Sequence, residues 1–285
     1  MAMKLMYITN DPVVARIAER SGVDRIFVDL EFVGKALRQG GMDTVQSHHT
    51  VDDVRAIRAA VTRSEVLVRV NPIHDALPDY GDSPWEIDAV IDAGADVLML
   101  PYFKTVSEVE TFLRLVRGRA ATMLLVETPE AVAAIDEILA LDGIDEIHIG
   151  LNDLSLGYGM RFMFELLADG TVERLCRKFR EKGVKYGFGG IASLGKGLLP
   201  AERVIREHYR LGSTCAILSR SFCNISKITD YAEIEAIFRN GIAEIRALVA
   251  VCRTNSPDDL YFRENRAAVE KSVAEICRAI EEKNR

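Results

Sequence analysis

A chain of 285 residues suits one large α/β domain or two small ones, and a hydrophobic share of 48% supplies a sizeable core. The formal net charge of -7 leaves no basic footprint for nucleic acid, and no apolar run approaches the ~20 residues of a membrane span. Five scattered cysteines without CxxC spacing argue for a reducing cytoplasm and against a zinc ribbon or disulfide scaffold.

Strand-like and helix-like segments alternate along the chain. The start MAMKLMYITN suits a strand over Lys4–Thr9 better than a signal peptide. Asp11 and Pro12 then open a helix to Arg20. Arg25–Glu31 is the second strand, followed by a long polar segment from Val33 to His49 and a helix opened by Thr50 with Asp53 as a variant capping box. Glu65–Asn71 and Asp96–Pro101 are strands around a helix over Trp85–Ala93. The spacing predicts a helix over Val106–Val116, strands at Met123–Val126 and Ile147–Ile149, and a single amphipathic helix between those two strands. Helices over Phe162–Glu181, Leu198–Arg210 and Ile228–Cys252 frame strands at Tyr186–Gly190 and Cys215–Ser219. Eight apolar β units, each followed by a helix, describe a parallel sheet covered on one face, with a (β/α)8 TIM barrel as its natural closure and an open doubly wound sheet as the rival. The barrel is assigned to residues 1–252 and a C-terminal helical extension to 253–285. That extension carries an apolar stripe at Val269, Val273, Ile276 and Ile280, which needs a covering surface beneath its own barrel or on another subunit.

The stretch Thr122–Gly157 holds the densest chemistry. Its two strands end in carboxylates, Glu127 and Asp153, and adjacent parallel strands sit ~4.8 Å apart. Both acids could therefore reach one small hard cation, although either alone reads first as a solvated strand-end acid, and it is the pair that points to chemistry. Asp29 and Glu31 share a strand face, as do Arg69 and Asn71. An arginine closing the apolar run EVLV needs an anion: either Asp29 or Glu31 in a structural ion pair, or a substrate carboxylate or enolate oxygen. His148, inside a strand, reads as a core histidine. The glycines around Gly187–Gly197 are weak evidence for a phosphate site. Arg220 suits a second substrate anion or a surface pair, and Lys196, in a loop, speaks against Schiff-base chemistry.

Several motifs together resemble the HpcH/HpaI aldolase and citrate lyase family of metal-dependent lyases. They are VRVN at Val68–Asn71, VETPEA at Val126–Ala131 followed by DEI at Asp136–Ile138, and GIDEIHIGLNDLSLG at Gly143–Gly157, with DLE at Asp29–Glu31 and AGADVLMLP at Ala93–Pro101. The resemblance covers Val23 to Gly157. It implies a barrel whose divalent metal, Mg2+ or Mn2+, is held by Glu127 and Asp153, with Arg69 on the 2-oxo acid or enolate oxygen; Asp29, Glu31 and Asn71, from the strand-face reading, are the further substrate-binding candidates. It also implies a homo-oligomer, trimer or hexamer, whose terminal helix is exchanged between subunits. Departures mark a divergent branch: Phe32 stands where the family's 2-oxo acid aldolases carry histidine, Leu125 where they carry glutamine, and Leu151 in place of proline or alanine. His49 or His48, on the long segment before the Thr50 helix, is the expected replacement for proton transfer, with surface turn chemistry as the alternative.

The resulting expectation is a cytoplasmic, class II type carbon–carbon lyase. It would cleave or form a 4-hydroxy-2-oxo acid through a pyruvate-type enolate, with a 2-oxo acid and an aldehyde as partners. A citrate lyase-like reaction on acyl-CoA thioesters and a non-catalytic carboxylate-binding barrel are the alternatives.

Overall fold

Eight parallel strands close into a barrel in chain order: β1 (Lys4–Ile8), β2 (Arg25–Asp29), β3 (Glu65–Arg69), β4 (Val97–Leu100), β5 (Ala121–Val126), β6 (Glu146–Ile149), β7 (Lys185–Ile191) and β8 (Cys215–Leu218). Pairing of Lys4 with Cys215 completes the ring. The architecture, seen in a computed structural model that describes residues 3–34 and 49–283, is a (β/α)8 TIM barrel.

Helices α1 (Pro12–Ser21), α2 (Val51–Ala60), α3 (Ser83–Asp92) and α4 (Val106–Val116) cover the first four strands. Asp11 accepts from the backbone N–H of Val13 and Val14, and Thr50–Asp53 and Thr105–Glu108 form reciprocal capping boxes. The single helix expected after β5 is two, α5 (Pro129–Ala133) and α6 (Ile135–Leu139), broken at Ala134 where no glycine or proline marks the break. Asp153 does not close β6 as expected. That strand stops at Ile149, Gly150 turns the chain, and Asp153 sits in the first turn of α7 (Leu151–Gly157). The helix expected over Phe162–Glu181 is likewise α8 (Glu165–Ala168) and α9 (Thr171–Lys182), because Gly170 between them holds a φ of 78°. Next come α10 (Ala201–Arg210), α11 (Tyr231–Arg253) and α12 (Leu260–Lys283).

The stripe of α12 lies against α10 and α8 of its own chain, with Val269 and Val273 buried and Ile276 and Ile280 partly so. Asn265 donates to Glu207 Oε1 at 2.9 Å, fastening the same face.

Inside the barrel the two-residue alternation of each strand stacks side chains in layers. At the amino-terminal end Arg25 donates from both terminal nitrogens to Glu146 at 2.6 Å and from Nε to Glu65 at 2.5 Å. Burial opposes the Arg25 charge, but the two carboxylates outweigh it and push the guanidinium above its ordinary value. Above lies an apolar layer of Phe27, Leu67, Val97, Met99, Met123 and Leu125. His148 is buried beside it, its Nε2 3.1 Å from the Gly189 carbonyl oxygen, and burial pulls its ring from 6.5 down to about 4. His208, stacked on Phe188 at 3.8 Å, is pulled to about 3, first by burial and then by His148.

Both rings are thus neutral in the fold where the free side chain, at 6.5, is charged. Their contribution to stability is complete above pH 6.5 and declines as pH falls toward 4, because only the unfolded chain takes up the protons. Thermal melts across that window should show Tm falling with acidification, and His208→Gln should flatten the slope; an unchanged slope would refute this assignment.

Candidate active site

Site residues stand at the carboxyl ends of the strands because alternation that places Phe27, Leu67 and Leu125 inside the barrel also turns Asp29, Arg69 and Glu127 inward, two residues on. Strand register sets Asp29 beside Arg69. The guanidinium grips Asp29 through Nε and Nη2, each at 2.7 Å, and its Nη1 lies 3.3 Å from Glu31. Its plane sits 5.6 Å from the centre of the Phe27 ring. Burial works against the Arg69 charge, but Asp29, Glu31 and Glu127 outweigh it and raise the guanidinium above its ordinary value. The ion pair expected as one alternative for Arg69 is therefore present, and the same side chain faces the cavity.

Glu127 follows β5 directly and is buried at 3% exposure. Three neighbours fix it. Thr128 caps α5 by accepting from Ala131 N and donates to the Phe103 carbonyl at 2.8 Å, which fastens the loop. The backbone N–H of Tyr102 donates to Glu127 Oε1 at 3.0 Å. Gly150, whose N–H donates to Val126 O at 3.0 Å, leaves the space the carboxylate occupies. Asp153, half-buried, stands three residues further on, while Leu151 and Leu154 of α7 turn into the core.

Asp29, Arg69, Glu127, Asp153 and His49 all line one cavity of about 440 Å³ at the barrel mouth. Leu125, in the position where the resemblance places glutamine, gives it an apolar floor, and Arg220 stands on its β8 side. His148 lines the cavity too, although its neutral ring is held by the Gly189 carbonyl. His49 accepts a hydrogen bond from Asp29 N at Nδ1, 3.0 Å long. With that lone pair engaged, the neutral ring carries its proton on Nε2, so His49 in this arrangement donates and does not accept. The expected role of His49 as base conflicts with that bond. His48 lies outside the described residues.

Two expected substrate-binding residues are placed elsewhere. Asn71, 1% exposed, accepts from Phe32 N and Val33 N at 2.9 Å and donates to Leu30 O and Glu86 Oε1, which uses its whole amide. It pins the chain leaving β2 and is not on the cavity wall. Glu31, equally buried, serves as counter-ion to Arg69. Tyr102 and Gly150 had gone unmarked in the sequence. The tight turn after a strand-ending proline is the signal for the first, and a glycine between strand and helix for the second.

Two acids and an ion-paired arginine thus meet at the carboxyl end of a parallel barrel, where this fold places its chemistry. By its match to the HpcH/HpaI aldolase/citrate lyase family model over residues 4–165, the chain belongs to that family. A hydroxypyruvate/pyruvate aldolase of Roseovarius nubinhibens is 26% identical over 160 residues, covering 45% of this chain and 61% of that protein, under two thirds of its length. One of the same name from Rhizorhabdus wittichii is 26% identical over 201 residues, 59% of this chain and 71% of that protein. Among solved structures, an HpcH/HpaI aldolase/citrate lyase family protein from Burkholderia cenocepacia superposes with a TM-score of 0.60 at 18% identity, covering 82% of this chain and 94% of the other. An HpcH/HpaI aldolase from Desulfitobacterium hafniense does so at 0.58 and 18%, covering 86% and 93%. Both share the fold.

A Cβ added at Gly150 would lie 2.7 Å from Glu127 Oε2 and 2.8 Å from its Cβ. Gly150→Ala must therefore displace the carboxylate, and a stability loss of about 1–3 kcal/mol in urea denaturation is expected from overpacking. Wild-type stability in that variant would mean Glu127 has room to move.

Proposed function

We propose that this chain is a divalent-metal-dependent carbon–carbon lyase of class II type that cleaves or forms a 4-hydroxy-2-oxo acid through a pyruvate-type enolate. The observation that carries the reading is the meeting of Glu127, Asp153 and Arg69 on one cavity. The relatives named hydroxypyruvate/pyruvate aldolase favour pyruvate or hydroxypyruvate as the enolate-forming partner and an aldehyde as the other. Five free cysteines suit the cytoplasm, and a homo-oligomer, trimer or hexamer, belongs to the same proposal.

The donor set fits a hard cation. Two carboxylates face one space, with no side chain at Gly150 to crowd Glu127. Among the described residues no group of three or more His, Cys, Asp or Glu side chains could hold a metal ion. The remaining positions would fall to substrate oxygens and water, as Mg2+ and Mn2+ sites commonly arrange. Bound there by Glu127 and Asp153, the ion would act as a Lewis acid toward the keto and carboxylate oxygens of the substrate.

The chain's own residues then divide the work. Asp29 and Glu31 engage all three nitrogens of Arg69, which orients the guanidinium fork toward the cavity and the enolate oxygen. The donors are held before charge develops, which is where electrostatic stabilisation is most effective. Because two carboxylates surround one guanidinium, the cluster offers oriented N–H groups without net positive charge. His49 presents its Nε2 proton to a substrate oxygen, while solvent takes up the hydroxyl proton in the cleavage direction. Leu125 and the apolar layer beneath keep water from the floor of the site.

Incubation with Mn2+ in D2O should exchange the methyl protons of pyruvate, read by NMR. Glu127→Gln and Asp153→Asn should each slow that exchange at least about 100-fold; full exchange in either variant would sink the site assignment. His49→Gln tests the histidine separately. A general base is worth about 100- to 10,000-fold, so a loss under tenfold with an unshifted pH profile is expected for a donor, and a larger loss with a vanished acid limb would restore the base.

A further inference from the structure

Leu100 ends β4, and after Pro101 the backbone of Tyr102 adopts φ 46°, in the left-handed region that disfavours any residue with a Cβ. Among the described residues three non-glycine positions have positive φ, and of these Arg117 (53°) is simply the C-cap of α4. Tyr102 caps no helix. Its N–H is aimed instead at Glu127 Oε1, 3.0 Å away, across 25 residues of sequence. The phenol ring points elsewhere, toward Lys104, whose Nζ lies 5.5 Å from the ring centre. Strained backbone at a strand's carboxyl end persists where the surrounding structure holds it, and such sites concentrate around function.

We propose that Tyr102 is a positioning residue: its left-handed backbone aims one N–H at Glu127 and fixes which carboxylate oxygen turns toward the bound cation. The inference rests on the reading of Glu127 as a metal ligand. Glu127 lies between two backbone features, the Tyr102 N–H on one oxygen and the bare Cα of Gly150 beside the other. Rotation about its last torsion, otherwise soft for a glutamate, is thereby removed. Loss of partners of this kind, hydrogen-bonded to a ligand and not to the ion, typically costs about 10- to 100-fold in metal affinity. Because the donor is a main-chain group, the role requires the conformation at 102 and not a particular side chain's functional group.

The test is Mn2+ binding to the metal-stripped protein, followed by electron paramagnetic resonance, with Tm and circular dichroism recorded alongside. Tyr102→Ala and Tyr102→Gly keep the N–H and should bind Mn2+ within threefold of wild type, with the glycine variant melting above the alanine variant because only glycine is unstrained at this φ. Tyr102→Pro removes the N–H and fixes φ near −65°, and should weaken Mn2+ binding about 10- to 100-fold while retaining the circular dichroism spectrum. A folded proline variant with wild-type affinity, or tenfold weaker binding in the alanine or glycine variant, overturns the proposal. Should the proline variant not fold, the alanine and glycine variants decide: a glycine variant that melts below the alanine variant refutes the strained geometry. Glu127→Gln serves as the control, since undiminished Mn2+ affinity there would defeat the metal site itself, whereas its loss beside an unaffected proline variant would defeat only the role of Tyr102.

Discussion

The alternation of side chains along eight parallel strands is the constraint from which the rest follows. In a closed barrel every second residue must enter the lumen, and the register aligns those residues into tiers. Arg25, Phe27 and Asp29 of β2 are one such column, beside Glu65, Leu67 and Arg69 of β3. The lowest tier is ionic, the middle apolar, the upper ionic again. The lower tier is neutralised locally, Lys4 and Arg25 against Glu65 and Glu146, as buried charge requires, whereas in the upper tier carboxylates outnumber the Arg69 guanidinium. The apolar tier separates the two, and its Phe27 ring also supports the Arg69 guanidinium.

Arg69 shows how structural and chemical readings of one residue merge. The carboxylates of Asp29 and Glu31, 2% and 1% exposed, would be left as buried charges without it. Holding them in place also leaves its remaining N–H groups in one fixed orientation. A lysine there would offer a point charge without that fork.

Features carried by short-range periodicity were legible in the sequence. Apolar runs located all eight strands to within two residues at most ends, and the Thr50–Asp53 capping box was readable from spacing alone. Glu127 and Arg69 followed from strand ends. Less was visible wherever tertiary contacts decide. Nothing in AVAAIDEIL announces the break at Ala134, and the four-residue shift that puts Asp153 on α7 depends on where Gly150 turns. Asn71 looked like a ligand because it shares a strand face with Arg69, yet Glu86, 15 residues on, claims its amide. The tautomer of His49 depends on a backbone N–H 20 residues away. A left-handed tyrosine has no compositional signature, since glycine, and after it asparagine and aspartate, are the residues that signal positive φ.

The paired Arg25 and Glu146, both almost wholly buried, close the lower end of the lumen like a stopper. Traffic is consequently one-way: whatever lodges deepest against Glu127 and Arg69 arrives first and departs last. Two molecules held there in series would leave in a fixed order, the outer before the inner.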